Sequence, residues 1–126
     1  MGNNTGNKRK IIKVIKQSIT HWQYMIRWAK KHNQDDFAYR QEMLDDIGEN
    51  WAGYYCPLCK MFYKCNNCPL SYYDSFIPRD CINEWRLVDI SKTWGEWLEN
   101  AEQMLLILKN VLKKYSPPPP PRHPNR

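Results

Sequence analysis

The stretch ISKTWGEWLENAEQMLLILKNVLKKY, Ile90 to Tyr115, decides the fold class of this chain. Its apolar residues Ile90, Trp94, Trp97, Ala101, Met104, Leu108, Val111 and Tyr115 recur at alternating spacings of four and three, with Leu98, Leu105 and Leu112 beside them. That period puts them on one face of an α-helix, because 3.6 residues make a turn. Gly95 is the one weak point, costing about 1 kcal/mol against Ala inside a helix, so the helix can also begin just after it. Leu106 falls off the seam and is expected at the surface.

The same period occurs near the other end of the chain. Ile12, Ile15, Ile19, Trp22, Ile26 and Ala29 mark one face of a helix from Lys8 to about His32. At 1.5 Å per residue each of these two helices is about 38 Å long, and matched lengths with heptad-like seams favour lengthwise packing. The seam can close within one chain or form a dimerising coiled coil. Between the two, Asn33 or Asp35 can cap a helix over residues 35–49 that shows Phe37, Leu44, Ile47 and Trp51 on one face and ends near Gly48. A short helix after Pro78 or Asp80 carries Cys81, Trp85 and Leu87 or Val88.

These readings give a mostly α fold: a long antiparallel helical hairpin, a third helix and a loop-rich segment from Trp51 to Pro78. Residues 1–7, small and polar, are expected to be disordered. Residues 8–116 form a single domain. Residues 117–126 open with five consecutive prolines, Pro117 to Pro121, which cannot extend a helix and form an extended polyproline II tail.

The loop segment carries the strongest chemical signal, Cys56-Pro-Leu-Cys59 followed by Cys65-Asn-Asn-Cys68-Pro69. A C-x-x-C turn brings two sulfurs to one side, and two such turns supply four thiolates for a tetrahedral zinc. The expected ligands are Cys56, Cys59, Cys65 and Cys68. Only five residues separate the pairs, so Cys81 is the alternative fourth ligand in place of Cys65. An iron–sulfur cluster wants other spacings, and a redox dithiol wants a βαβ context. Four thiolates leave zinc no open position, so its role is structural.

Catalytic signatures are lacking: the sequence has no Gly-rich phosphate loop, nucleophile elbow or HExxH helix. His21 and His32 sit at the border of the first helix's apolar face, and Asp45, Asp46 and Glu49 read as a solvated helix surface. The expectation is a protein that is not an enzyme.

Charge is unevenly distributed. The 19 basic and 13 acidic residues give a formal net charge of +6, yet residues 1–34 hold eight Lys or Arg and no acid, whereas residues 35–50 hold six acids and only Arg40. On the first helix Arg9, Lys13, Lys16, Arg27 and Lys31 fall on one stripe, with Thr20, Gln23 and Tyr24 between them. Such a stripe can track phosphates, or it can be a solvated face attracted to the acidic segment. Six Trp, eight Tyr and three Phe exceed what a small core can bury, so several of Trp28, Tyr39, Tyr54, Tyr55, Tyr72 and Tyr73 are expected to reach the surface. Tyrosines around the cysteine loop suit a protein interface. The sequence offers no apolar run for a membrane span and no secretory signal, which points to a cytoplasmic protein without membrane contact. Gly2 does not make a myristoylation site, because Gly6 stands where Ser or Thr is needed.

The order C-x-L-C, C-x-x-C-P-L and then a Cys four residues before a Trp, carried by Cys56, Leu58, Cys59, Cys65, Cys68, Pro69, Leu70, Cys81 and Trp85, resembles that of short uncharacterised bacteriophage and prophage proteins. The resemblance covers about 30 residues in the middle of the chain. It implies a viral accessory protein with a zinc-stabilised centre, acting in the host cell. The leading expectation is a small interaction protein that binds and modulates a host protein. The alternative is a nucleic-acid-binding module using the basic stripe.

Overall fold

The structure is a computed structural model that describes residues 3–52, 55–58 and 83–115, with side chains described from Lys8 onward and, in the last stretch, from Glu84. The expectations for Tyr54, Cys59, Cys65, Cys68, Tyr72, Tyr73, Cys81 and the proline tail lie outside the described residues. What is described is mostly helical: α1 (Asn3–Lys30), α2 (Arg40–Ile47), α3 (Asn83–Asp89) and α4 (Trp94–Tyr115).

The two long helices pack on one another, and α3 packs on α4. Trp28 of α1 meets Trp94 of α4 edge to face, while Trp22, further back on α1, stacks on Trp97, further along α4. The helices therefore run in opposite directions. Ile15, Trp22, Met25, Ile26, Trp28 and Ala29 of α1 are buried against Trp94, Trp97, Leu98, Ala101, Met104, Ile107, Leu108 and Val111 of α4. The seam of α4 is thus closed by its own chain, and Leu106 is half exposed, as its off-seam position predicts.

Aromatic rings form the centre of this core. Trp51 contacts both Trp94 and Trp97, at centroid distances of 6.0 and 5.3 Å. Edge-to-face and offset contacts of this kind add to the area each ring buries. The indole N–H groups near the rim find acceptors: Trp51 donates to Asp89 Oδ1 at 3.2 Å, and Trp85 donates to the Trp51 carbonyl at 2.9 Å. These bonds tie α3 to the residues that follow α2.

Helix boundaries differ from expectation in three places. The backbone of α1 begins at Asn3, inside the segment expected to be disordered, and no proline in that stretch stops the helix. α2 is shorter than residues 35–49 and starts only at Arg40. Its expected first turn is extended instead, because Ala38 donates to the Lys92 carbonyl and Trp94 donates to the Asp36 carbonyl, both at 2.9 Å, around a Phe37–Thr93 bridge. Asn33 uses its side chain to accept from Asp35 N–H in a turn rather than to cap a helix. Phe37 is consequently exposed, and Met43 takes the buried position on α2. The end of α2 is as expected: Gly48 adopts φ 76° and donates to the Leu44 carbonyl, a left-handed cap that Gly makes without strain.

α4 starts at Trp94, so Ile90 lies outside it and is exposed. Thr93 accepts Glu96 N–H through Oγ1 at 3.2 Å, which satisfies one of the free amides of the first turn. Gly95 has a packing reason to be glycine. Its N–H donates to the Gln34 carbonyl at 2.9 Å, and a Cβ there would lie 3.2 Å from that same oxygen.

Candidate functional site: the outer face of helix α1

α1 has two faces with different fates. The inner one enters the aromatic core. On the outer one Arg9, Lys13, Lys16 and Arg27 are all exposed, as is Lys31 just past its end, as the stripe requires.

The acidic segment does not neutralise them. Glu49 approaches His21 Nδ1 at 2.5 Å, Asp46 accepts the Trp28 indole N–H at 3.0 Å, Asp45 accepts from Gln41 at 2.8 Å and Glu42 lies 3.9 Å from His32 Nε2. Elsewhere Lys30 pairs with Glu102 and Arg40 with Asp89. No carboxylate among the described residues lies within 4 Å of Arg9, Lys13, Lys16, Arg27 or Lys31. Eleven of the chain's thirteen acids are described, and none of these eleven forms an ion pair with the stripe, although Glu49 lines one cleft together with Arg27.

Two open clefts run along this face and share Gln17 and Thr20. The first, about 530 Å³, is lined among the described residues by Arg9, Ile12, Lys13, Lys16, Gln17 and Thr20. The second, about 420 Å³, continues from Gln17 and Thr20 to Tyr24 and Arg27, with Glu49, Tyr55 and Pro57 bringing in the chain beyond α2. The result is a trough with cations at one end and aromatic rings at the other. The Arg27 guanidinium sits 5.9 Å from the Tyr24 ring centroid, a cation–π contact at the rim.

The expected surface aromatics divide. Tyr39 is largely exposed, Tyr55 is partly so, and Trp28 is buried, contrary to expectation, while Tyr24 of the stripe is also exposed. Trp28 lies at the border of the α1 seam, where Asp46 takes its N–H and the His32 ring packs at a centroid distance of 3.8 Å. His21 is buried as well, held by Glu49. Periodicity places both histidines only at the border of the apolar face, and burial of His21 follows from Glu49, 28 residues away. Lys31 is exposed beyond the last turn of α1 and does not line either cleft.

Of the cysteines, Cys56 alone is described; it is buried in the core cluster with Leu58. Among the described residues no three His, Cys, Asp or Glu side chains gather as a metal site, and no helix is long and apolar enough to cross a membrane. No family model matches this chain, and no curated protein or solved structure matches it.

Proposed function

We propose that this chain works by binding rather than by catalysis, as a small zinc-stabilised accessory protein of a bacteriophage acting on a host macromolecule in the cytoplasm. A zinc held by Cys56, Cys59, Cys65 and Cys68, or with Cys81 as the alternative fourth ligand, would fix the segment after α2 across the helix pair. With four thiolates the metal keeps no position for substrate. The observation that carries the binding reading is the row of cations on α1 that form no ion pair with any carboxylate among the described residues.

The partner such a row fits best is a nucleic acid. Lys and Arg side chains that neutralise phosphates release condensed counterions, so affinity is gained in proportion to their number. Titration of generic DNA and RNA at several salt concentrations tests this. Binding should weaken steeply between 50 and 200 mM salt, and neutralising Lys13 or Lys16 should lower the log–log slope by about one each.

The second reading, a host protein as partner, is favoured by a different surface. Phe37 is 70% exposed and Tyr39 is 64% exposed, on neighbouring positions of the extended segment before α2. Large exposed aromatics are frequent anchors of protein interfaces. A pull-down from host cells that captures one protein, and loses it on Phe37→Ala and Tyr39→Ala but not on Lys13→Gln, would establish that reading instead.

A further inference from the structure

We infer that the trough on α1 receives a single nucleic-acid strand, whose phosphates run along Arg9, Lys13 and Lys16 and one of whose bases enters the cleft between Tyr24 and Tyr55; this rests on the nucleic-acid reading above. Charge alone does not distinguish a strand from a duplex, but the arrangement of the lining residues does. The cations concentrate in the first cleft, over a rise of about 10 Å from Arg9 to Lys16. The second cleft has a different character: the rings of Tyr24 and Tyr55, the Thr20 hydroxyl and the Gln17 amide, with Arg27 as its one Lys or Arg and the Glu49 carboxylate, beside His21, at its wall. A carboxylate repels phosphate, and one guanidinium stands here against three cations in the first cleft, so this end suits backbone less. It suits an uncharged, flat, hydrogen-bonding group.

A nucleobase has those properties. Rings of Tyr can stack on any base, and an amide and a hydroxyl beside them can bond to its edge. In a duplex the base faces are covered by their neighbours, so Tyr24 and Tyr55 could contribute nothing there. Arg27, held over the Tyr24 ring, adds a planar cation at the far end of the second cleft, beyond the base. Groove-and-platform architecture of this type binds single strands with little sequence preference.

The test uses the full chain, purified under reducing conditions with zinc, and fluorescence anisotropy of labelled twelve-nucleotide strands against the matching duplex. The strand should bind at least about tenfold more tightly than the duplex at equal salt. Tyr24→Ala should weaken strand binding about tenfold while leaving the salt slope unchanged, because stacking releases no counterions. Tyr24→Phe should retain the affinity, since the ring remains. Tyr24 is partly exposed, so its loss does not threaten the core.

Equal affinity for strand and duplex, with Tyr24→Ala silent, would overturn the single-strand inference and leave general nucleic-acid binding standing. Competition by poly-glutamate of equal charge as effective as by the strand would overturn it too, in favour of an acidic protein. Absence of binding to either nucleic acid at 50 mM salt would remove the reading on which the inference rests.

Discussion

Trp28, on the inner side of α1, donates its indole N–H to Asp46 Oδ2 on α2 at 3.0 Å. The two residues differ in what their loss should do. Trp28 is buried and packs edge to face on Trp94, so Trp28→Ala removes a large ring from the core and should cost about 3–5 kcal/mol. Trp28→Phe keeps most of that packing, leaves only a solvated carboxylate unpaired and should cost about 1 kcal/mol. Asp46→Ala leaves a part-buried N–H without its acceptor and should cost about 1–3 kcal/mol. Urea denaturation of the three variants checks the order; an Asp46→Ala protein as stable as the parent would show that water replaces the carboxylate.

The relationship also marks how far the sequence could be read. The α4 seam was legible because each member needs only its own helix's period, and Trp94, Trp97, Ala101, Met104, Leu108 and Val111 are all buried. Trp28 and His21 were not legible as core residues, since their polar atoms are answered by Asp46 and Glu49, 18 and 28 residues away. The late start of α2 has the same origin. Asn33 and Asp35 suit a helix start by local chemistry, but the backbone of residues 36–38 is engaged by residues 92–94, a pairing that no local pattern encodes. Of the candidate site, the basic stripe was visible in the spacing of Arg9, Lys13, Lys16 and Arg27. Its lack of carboxylate partners among the described residues was not, because the acidic segment adjoins it in sequence, and only the fold gives Glu42, Asp45, Asp46 and Glu49 to His32, Gln41, Trp28 and His21 instead.

Gly95 offers a test of that loop pairing. In an exposed helix Gly→Ala gains about 1 kcal/mol from propensity. Here the added methyl would press on the Gln34 carbonyl that already accepts the Gly95 N–H. We expect Gly95→Ala to lower the unfolding free energy by about 1 kcal/mol, since overpacking and a weakened hydrogen bond outweigh the helical gain. A raised denaturation midpoint would show that residues 33–36 yield without loss.

The proline-rich tail is expected to contribute little to stability. A polyproline II segment has no internal hydrogen bonds and a solvated backbone. Deleting residues 117–126 should move Tm by no more than about 1–2 °C, given that a 1 kcal/mol change shifts Tm by roughly 4–8 °C in a domain near this size. A larger drop in a thermal scan would mean that the tail packs on the body.

The metal prediction concerns both the fold and the trough. Cys56 is buried beside Leu58, and its neighbours Tyr55 and Pro57 line the aromatic end of the cleft. If zinc holds Cys56, metal binding and the placement of Tyr55 are linked, because site formation and folding of the ligand segment are one process. Protein purified under reducing, chelator-free conditions should contain about one zinc per chain by elemental analysis. Cys56→Ser should lower both zinc content and stability, and among the other cysteines the one outside the ligand set should leave zinc content unchanged when replaced by Ser. Cys65→Ser and Cys81→Ser therefore separate the two ligand sets: whichever keeps its zinc identifies the spare thiol. Stripping the metal with a chelator should weaken strand binding more at the Tyr55 end than along the cations, so affinity should fall while the salt slope stays near its original value. Protein that carries no zinc yet unfolds at the same denaturant concentration with Cys56→Ser would remove the metal from the account and leave Cys56 as an ordinary buried thiol.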